Sequence, residues 1–597
     1  MRKRTNYNLR PNIYLLILFW IFTISNSFAQ KPNVIIIFTD DQGYGDMSCH
    51  GNTMLKTPNL DKFAEQSVRF TDFHVTPMCT SSRSHLMTGK HALRNGAFLV
   101  CSGYGAIYPD IPTMPEIFKK SGYKTALFGK WHLGHSYPYR PMDRGFDYAV
   151  WFKGWGLTAA PNYWNNDYYD DYIFVNDSLV QSEGYCTDYW FSEAQKWIKE
   201  CKESKQPFFT YLSTNAPHGP FFVDERYRSK FPDVSRAAAS YYGMIVNLDE
   251  NIGKFNKFLE REGLADNTIV IFMTDNGQTT HLEPLYNAGM RGVKKSLYEG
   301  GHRVPCFVRW PLGNLRNPGE IDDLVEVRDI LPTLIDLCSL QSNNKLEGKS
   351  LSKLLQGKEQ PELSGRKMVV QYGRQPLDVL KLPEKYDACV MWNKWRLVHN
   401  KELYNIEDDP SQEHNIADRH KDIVNEMKSF YEDWWGNTEY NLYNKFNPNF
   451  IGAKEEPETL LSSHDFQTIN TSGQFQIRAG NNRNGAWRIK VFEEGMYRFE
   501  VRRWPREAKT KMIDSYPEHK GFDTVFPEGK ALPIHRVNIK IGVQEYSVEV
   551  NPDDYCAVFN LPLKKAEDTL ETLFYDSNRN VLGSAYYVYV SKIKTEL

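Results

Sequence analysis

Two short apolar runs limit this chain's fold more than anything else in it. Asn33-Val34-Ile35-Ile36-Ile37-Phe38 is mostly β-branched and ends in Thr39-Asp40-Asp41. Thr268-Ile269-Val270-Ile271-Phe272-Met273 has the same character and ends in Thr274-Asp275-Asn276. Runs of this length without polar alternation suit strands buried on both faces, as in a sheet with helices on either side. Between them, helix-like segments (Thr57 to Ser67, Thr113 to Ser121, Thr187 to Lys202) alternate with short strand candidates (Lys124 to Phe128, Phe208 to Leu212). The alternation predicts an α/β fold with a mainly parallel sheet flanked by helices. In such sheets ligands bind beyond the carboxyl ends of the strands, which is where both acidic pairs fall.

A chain of 597 residues is too long for one core, and two or three domains are expected. Residues 30–360 read as the α/β domain. From about Leu363 to Asn447 the pattern changes to short antiparallel strands (Met368 to Tyr372, Ala388 to Trp392, Trp395 to Val398) and a helix from Ile423 to Trp435, so 361–450 reads as a smaller α+β subdomain. Residues 456–597 alternate apolar and polar positions, in Ala486 to Val491, Met496 to Arg502, Val537 to Ile541 and Ala585 to Val590. They predict an accessory all-β domain of sandwich type, with Trp487, Tyr497 and Trp504 in its core.

Lys and Arg number 72 against 74 Asp and Glu, a net charge of −2 with no long basic run, which argues against a nucleic-acid partner. At the N-terminus, Arg2, Lys3, Arg4 and Arg10 precede an apolar run from Ile13 to Ile24, and Ser27 and Ala29 supply small residues before a cleavage point. Residues 1–29 therefore read as a signal peptide. The apolar run is shorter than the ~20 residues of a membrane-spanning helix. Export to the periplasm or the medium is expected, without stable membrane insertion after cleavage. No cysteine follows Ala29 to take a lipid, and the nine cysteines show no zinc-type spacing.

Asp40, Asp41, Asp275 and Asn276 offer three carboxylates and an amide, a donor set suited to a hard divalent cation, Ca²⁺ before Mg²⁺. Singly, such residues at strand ends are ordinary turn formers and caps. Two pairs after two buried strands favour the metal. Arg83, Lys130 and Lys294 are positioned in sequence to neutralise an anionic ester, and His132 and His218 to move protons.

Cys79-Thr80-Ser81-Ser82-Arg83 followed by Leu86-Met87-Thr88-Gly89-Lys90 resembles the signature of the formylglycine-dependent sulfatases. The Asp40-Asp41, Gly129-to-Gly134, Pro217-His218, Asp275-Asn276-Gly277 and Glu299-Gly300-Gly301 segments follow in the family's order, over roughly Pro32 to Ala417. The resemblance implies the alkaline-phosphatase-like α/β fold. It implies that a maturation enzyme oxidises Cys79 to formylglycine (3-oxoalanine), that Arg83 and Lys130 hold this group, and that Asp40, Asp41, Asp275 and Asn276, together with the converted Cys79, bind Ca²⁺. It implies, too, that the hydrated aldehyde attacks sulfur, His218 and Lys294 assist the leaving alcohol, and His132 helps expel sulfate. Lys295 adjoins Lys294, but the Arg291-Gly292-Val293-Lys294 spacing favours Lys294. Ser81 stands where the family usually has Pro or Ala. An unmodified Cys79 among these cations is expected to be part thiolate.

The implied substrate is a sulfated carbohydrate, with ulvan, carrageenan, fucoidan and glycosaminoglycans all open. An aromatic stretch is read equally as a sugar-binding surface and as core packing: Trp151, Trp155 and Trp164 are candidate glycan contacts, as is His281. The rivals are a phosphodiesterase or phosphonate monoester hydrolase of the same superfamily, and a silent glycan-binding protein whose Cys79 is never converted.

Overall fold

The computed structural model describes residues 31–101, 103–373, 382–438, 445–467 and 471–594. The expected leader, 1–29, lies outside them. A ten-stranded sheet forms the centre. Its five middle strands are parallel and lie in the order Thr268–Thr274, Asn33–Thr39, Phe208–Ser213, Lys124–Lys130, Tyr148–Phe152. Cys306–Arg309 continues the sheet antiparallel beside Thr268–Thr274.

The two apolar runs are buried along their whole length. Strand alternation divides the side chains of the first between two layers. Ile35 and Ile37 face a core shared with the helices Cys186–Glu203 and Arg236–Arg261. Val34, Ile36 and Phe38 face another, shared with Leu86 and Met87 of the helix Cys79–Thr88 and with Leu331 and Leu334. Each such side chain contributes about 2 kcal/mol of burial, so a one-residue slip in register would exchange the two cores.

A four-stranded antiparallel sheet, Lys367–Gln371, Ala388–Trp392, Trp395–Val398 and Glu402–Asn405, follows. The helix Lys421–Gly436 covers it through Val424, Met427, Tyr431 and Trp435.

The β domain is a sandwich. A six-stranded and a four-stranded sheet share one core that includes Trp487 and Tyr497. Its first strand is Asn449–Ile451, paired with Ala486–Val491, so the domain begins before the expected residue 456. The expected strand Ala585 to Val590 is shifted to Tyr587–Lys592. Trp504 packs at the boundary with the α/β domain, against Trp164 and Tyr516, rather than in the sandwich core. Arg228 and Arg236 also reach across to Asp523. Among the described residues no helix is long and apolar enough to cross a membrane.

Candidate active site

Four neighbouring parallel strands end level with one another, with Phe38 opposite Ser213, Thr39 opposite Thr274 and Gly129 opposite Ser213. The residues that follow are therefore delivered to one place. Asp40 and Asp41 leave the first run, Asp275 and Asn276 the second, Lys130 and His132 the third strand, and His218 the loop after Ser213. Gly129 must be glycine, because its φ is +100° and a Cβ there would lie 2.1 Å from the Ser213 carbonyl oxygen. Asp41 and His132 also take left-handed φ angles, of 65° and 55°. Such backbone costs about 1–3 kcal/mol and gathers at functional sites.

Cys79 opens a helix whose ten residues are all buried, and a helix N-terminus favours negative charge beside it. The Cys79 Sγ lies 3.5 Å from His132 Nδ1. Thr80 Oγ1 is 3.2 Å from His132 Nε2, and the same nitrogen meets the Val100 carbonyl at 2.9 Å. One turn on, Arg83 is fully buried. It bonds Asp275 Oδ2 at 2.9 Å, Tyr211 Oη at 3.3 Å and Ser213 Oγ, with Asp40 Oδ2 at 3.8 Å. Lys130 Nζ pairs with Asp40 Oδ2. Lys294 Nζ is 2.5 Å from Asp41 Oδ1, which also accepts from Asn276 Nδ2 at 2.8 Å. Asp275 Oδ1 takes the Asp41 N–H at 3.1 Å.

These bonds leave three buried oxygens without a partner: Asp40 Oδ1, Asp41 Oδ2 and Asn276 Oδ1. Buried acceptors are rarely left unpaired. The ligand atoms of Asp40, Cys79 and Asp275 lie within 4.8 Å of one another, as do those of Asp40, Asp41 and His218. Burial, with Asp40 and Asp41 alongside, pushes the Asp275 carboxyl up to about 8 against the pull of Arg83. Convergent hard oxygens left without hydrogen-bond partners fit a divalent cation.

Burial opposes ionisation of Asp40, yet Lys130, His218 and Arg83 hold it well below the ordinary range. Burial pushes His218 down to about 4, although Asp41 and Asp40 pull it up. Burial also drives His132 well below its ordinary value, helped by Lys130. Lys294 is raised despite its burial by Asp41, so it stays charged. Burial pushes the Cys79 thiol up, more than Lys130 and Lys294 pull it down.

The structure brings together Asp40, Asp41, Cys79, Arg83, Lys130, His132, His218, Asp275, Asn276 and Lys294. Lys294 is buried in the cluster while Lys295 is exposed beside it. The four candidate glycan contacts divide. Trp155 is half-buried, with its ring 5.7 Å from that of His218. His281 is exposed, near enough to Lys295, Asp41 and Lys294 to feel their charge. Trp151 and Trp164 are corrections. Trp151 is 1% exposed inside the second core, its indole N–H donated to the Asn176 carbonyl. Trp164 is 3% exposed, packed against Trp504. Neither offers a ring face to a sugar. Ser213, Tyr211 and Thr80 were not foreseen. Hydroxyls carry no motif of their own, and only the level strand ends and the helix turn place them here.

Comparison with known proteins agrees with this geometry. The sulfatase family profile matches residues 32–340, and that of the N-sulphoglucosamine sulphohydrolase C-terminal region matches 292–434. An uncharacterized sulfatase of Escherichia coli K12, YdeN, is 30% identical over 386 residues, 56% of this chain and 67% of its own. Human N-acetylgalactosamine-6-sulfatase is 32% identical over 362 residues, 55% of this chain and 67% of its own. The solved structure of Ps i-CgsB in complex with k-i-k-neocarrahexaose superposes with a TM-score of 0.62 at 26% identity, covering 70% of this chain and 95% of that one. Both profile matches end before the β domain begins. With over half of its length in the sulfatase profile and the site residues in place, this chain belongs to the sulfatase family, hydrolases of sulfuric esters.

Proposed function

We propose that this chain is an exported, calcium-dependent sulfatase that hydrolyses O-sulfate esters on a carbohydrate, with formylglycine made from Cys79 as its nucleophile. The observation that carries the reading is the set of unpartnered oxygens on Asp40, Asp41 and Asn276 beside Cys79, ringed by Arg83, Lys130 and Lys294. The sugar class is supported by Ps i-CgsB, whose structure is in complex with k-i-k-neocarrahexaose, and by a half-buried Trp155 beside His218.

A Ca²⁺ ion held by Asp40, Asp41, Asp275 and Asn276 supplies fixed positive charge for the sulfate oxygens. The hydrated aldehyde supplies at position 79 a hydroxyl in place of a thiol. This chain's residues do the rest. Arg83 fixes Asp275, and through it the frame around residue 79. Lys130 and Lys294 present charge to the ester. Lys294 is already protonated and can deliver a proton to the departing sugar oxygen. His218, pushed down to about 4, needs the added negative charge of a bound ester to carry one near neutrality. His132 Nδ1, 3.5 Å from Cys79 Sγ, is placed to take the proton from the side chain at position 79 and return it. Ser81 turns its hydroxyl to the Phe98 carbonyl at 3.3 Å.

The test is mass spectrometry of the Cys79 peptide, with and without a co-expressed maturation enzyme, against sulfate release. Activity should scale with the aldehyde fraction, and Cys79→Ala should be inactive. Turnover by a preparation carrying only thiol would overturn the mechanism. Export predicts that the secreted protein begins at Gln30.

A further inference from the structure

The β domain does not merely adjoin the α/β domain; it puts side chains beside the chemistry. Its first 3-10 turn, Ser463–Asp465, docks on the loop that follows His132. Asp465 is shared by two imidazoles. His135 Nε2 lies 3.0 Å from Asp465 Oδ2, and His464 Nδ1 lies 3.0 Å from Asp465 Oδ1. Burial opposes the charge on Asp465, but His135 and His464 keep its carboxyl well below the ordinary range. His464 is 4% exposed, and its other nitrogen, Nε2, has no partner. A Cβ added to Gly154 would lie 3.2 Å from that nitrogen, so a larger residue there would press on it. His464 borders a cavity of about 40 Å³ also lined by His132, Gly134, His135, Gly154 and Asp465. The wall across from it is joined to the same domain. Trp155, next to Gly154, lies beside His218, and Gly473 of the β domain backs its ring.

We infer that His464, carried by the β domain, is a substrate-binding residue that accepts a hydrogen bond from a free hydroxyl of the sulfated sugar, in a small subsite next to His132. The inference rests on the carbohydrate sulfatase reading above. With Nδ1–H donated to the Asp465 carboxylate, Nε2 is the ring atom left to accept, which matches a sugar hydroxyl. A buried acceptor without a partner is costly, and a ligand hydroxyl would satisfy it. The cavity has room for about three water-sized groups, enough for a hydroxyl or hydroxymethyl but not for a second ring. Both family matches end before His464, so this contact belongs to the appended domain.

The experiment uses the full mature chain, 4-nitrophenyl sulfate, and a panel of monosulfated hexoses. Sulfate release by the wild type tests the underlying reading alone. Turnover of 4-nitrophenyl sulfate but of no sugar would sink the carbohydrate reading, and the subsite with it. On the best hexose sulfate, His464→Ala should lower kcat/KM about tenfold, mainly through KM, while 4-nitrophenyl sulfate turnover changes less than threefold. His464→Gln, which keeps an acceptor, should recover most of the loss, and His464→Leu, of similar size without one, should not. That pair keeps the test sharp even where alanine disturbs the domain junction. Equal losses on both substrates, or no loss on the sugar, would overturn the inference.

Discussion

Two of this molecule's clusters of buried charge are built from similar residues and finished differently. Around Arg396 every strong donor has an acceptor. Arg396 Nε bonds Glu299 Oε1 at 2.7 Å and Nη2 bonds Asp72 Oδ1 at 2.9 Å. His74 bridges Asp72 at 2.8 Å and His302 at 2.9 Å, and His302 Nε2 ends on the Leu297 carbonyl at 3.1 Å. The ligand atoms of His74, Glu299 and His302 are as close as those of a metal site, but two ring nitrogens face each other and Arg396 takes one carboxylate oxygen, which leaves a single acceptor, Glu299 Oε2, unpaired. This network joins the α/β domain to the subdomain sheet. Around Asp40 the cations stand to the side, and each of Asp40, Asp41 and Asn276 keeps one oxygen unpaired. Buried charge alone therefore does not mark a site; unpaired, convergent acceptors do.

The sharpest break of this contrast is Asp275→Ala. If Asp275 holds a metal, hydrolysis should fall roughly 10⁴-fold, about 5 kcal/mol of barrier, and Ca²⁺ should no longer raise the melting temperature. Full activity, or full activity after chelation, would defeat the calcium assignment. Arg396→Leu should do the reverse. Removing one partner of a buried ion network costs about 3–5 kcal/mol, read by denaturant unfolding, while the folded fraction keeps its kcat. A large loss of kcat in folded protein would make this network part of the chemistry.

Lys294→Ala and His218→Ala test the leaving-group side. Both should depress hydrolysis of a sugar sulfate about 10²-fold and of an activated aryl sulfate much less, because a phenolate departs without a proton. Equal loss on both would reduce these residues to positioning. The smallest effect is a pH dependence. Burial, with His74 alongside, pushes His302 down to about 3, so the fold favours its neutral ring. That contribution is complete above the unfolded value of about 6.5 and is lost as pH falls through the window down to about 3. His302→Gln has no such titration. The stability gap between wild type and His302→Gln should narrow by up to about 1.4 kcal/mol per pH unit below about 6.5. A gap independent of pH would mean that His302 titrates in the folded protein as it does in the unfolded chain.

Much of the catalytic half was legible before any coordinates. Asn33–Thr39 and Thr268–Thr274 declared themselves because strands buried on both faces cannot alternate, and the acidic residues after them had to lie at the sheet's ligand-binding edge. The aromatic stretch was not legible in the same way. Trp151, Trp155 and Trp164 look alike in sequence, yet one fills a core, one borders His218 and one is wedged between domains. Ser213 and His464 left no sequence signal, because their role depends on what lies across from them.

By itself, the sequence determined the order of the catalytic groups, the parallel sheet that gathers them and the chemistry they suit, since strand burial and metal-ligand type are local properties of residues. Tertiary structure decided what depends on convergence: which lysine of the pair points inward, which oxygens stay unpaired, which charged cluster is a strut, and that a turn of the appended domain faces His132. The physical reason is distance. Hydrogen bonds and Coulomb pairing act over a few ångströms, and residues such as His135 and His464, remote along the chain, come within that range only when two domains close on each other.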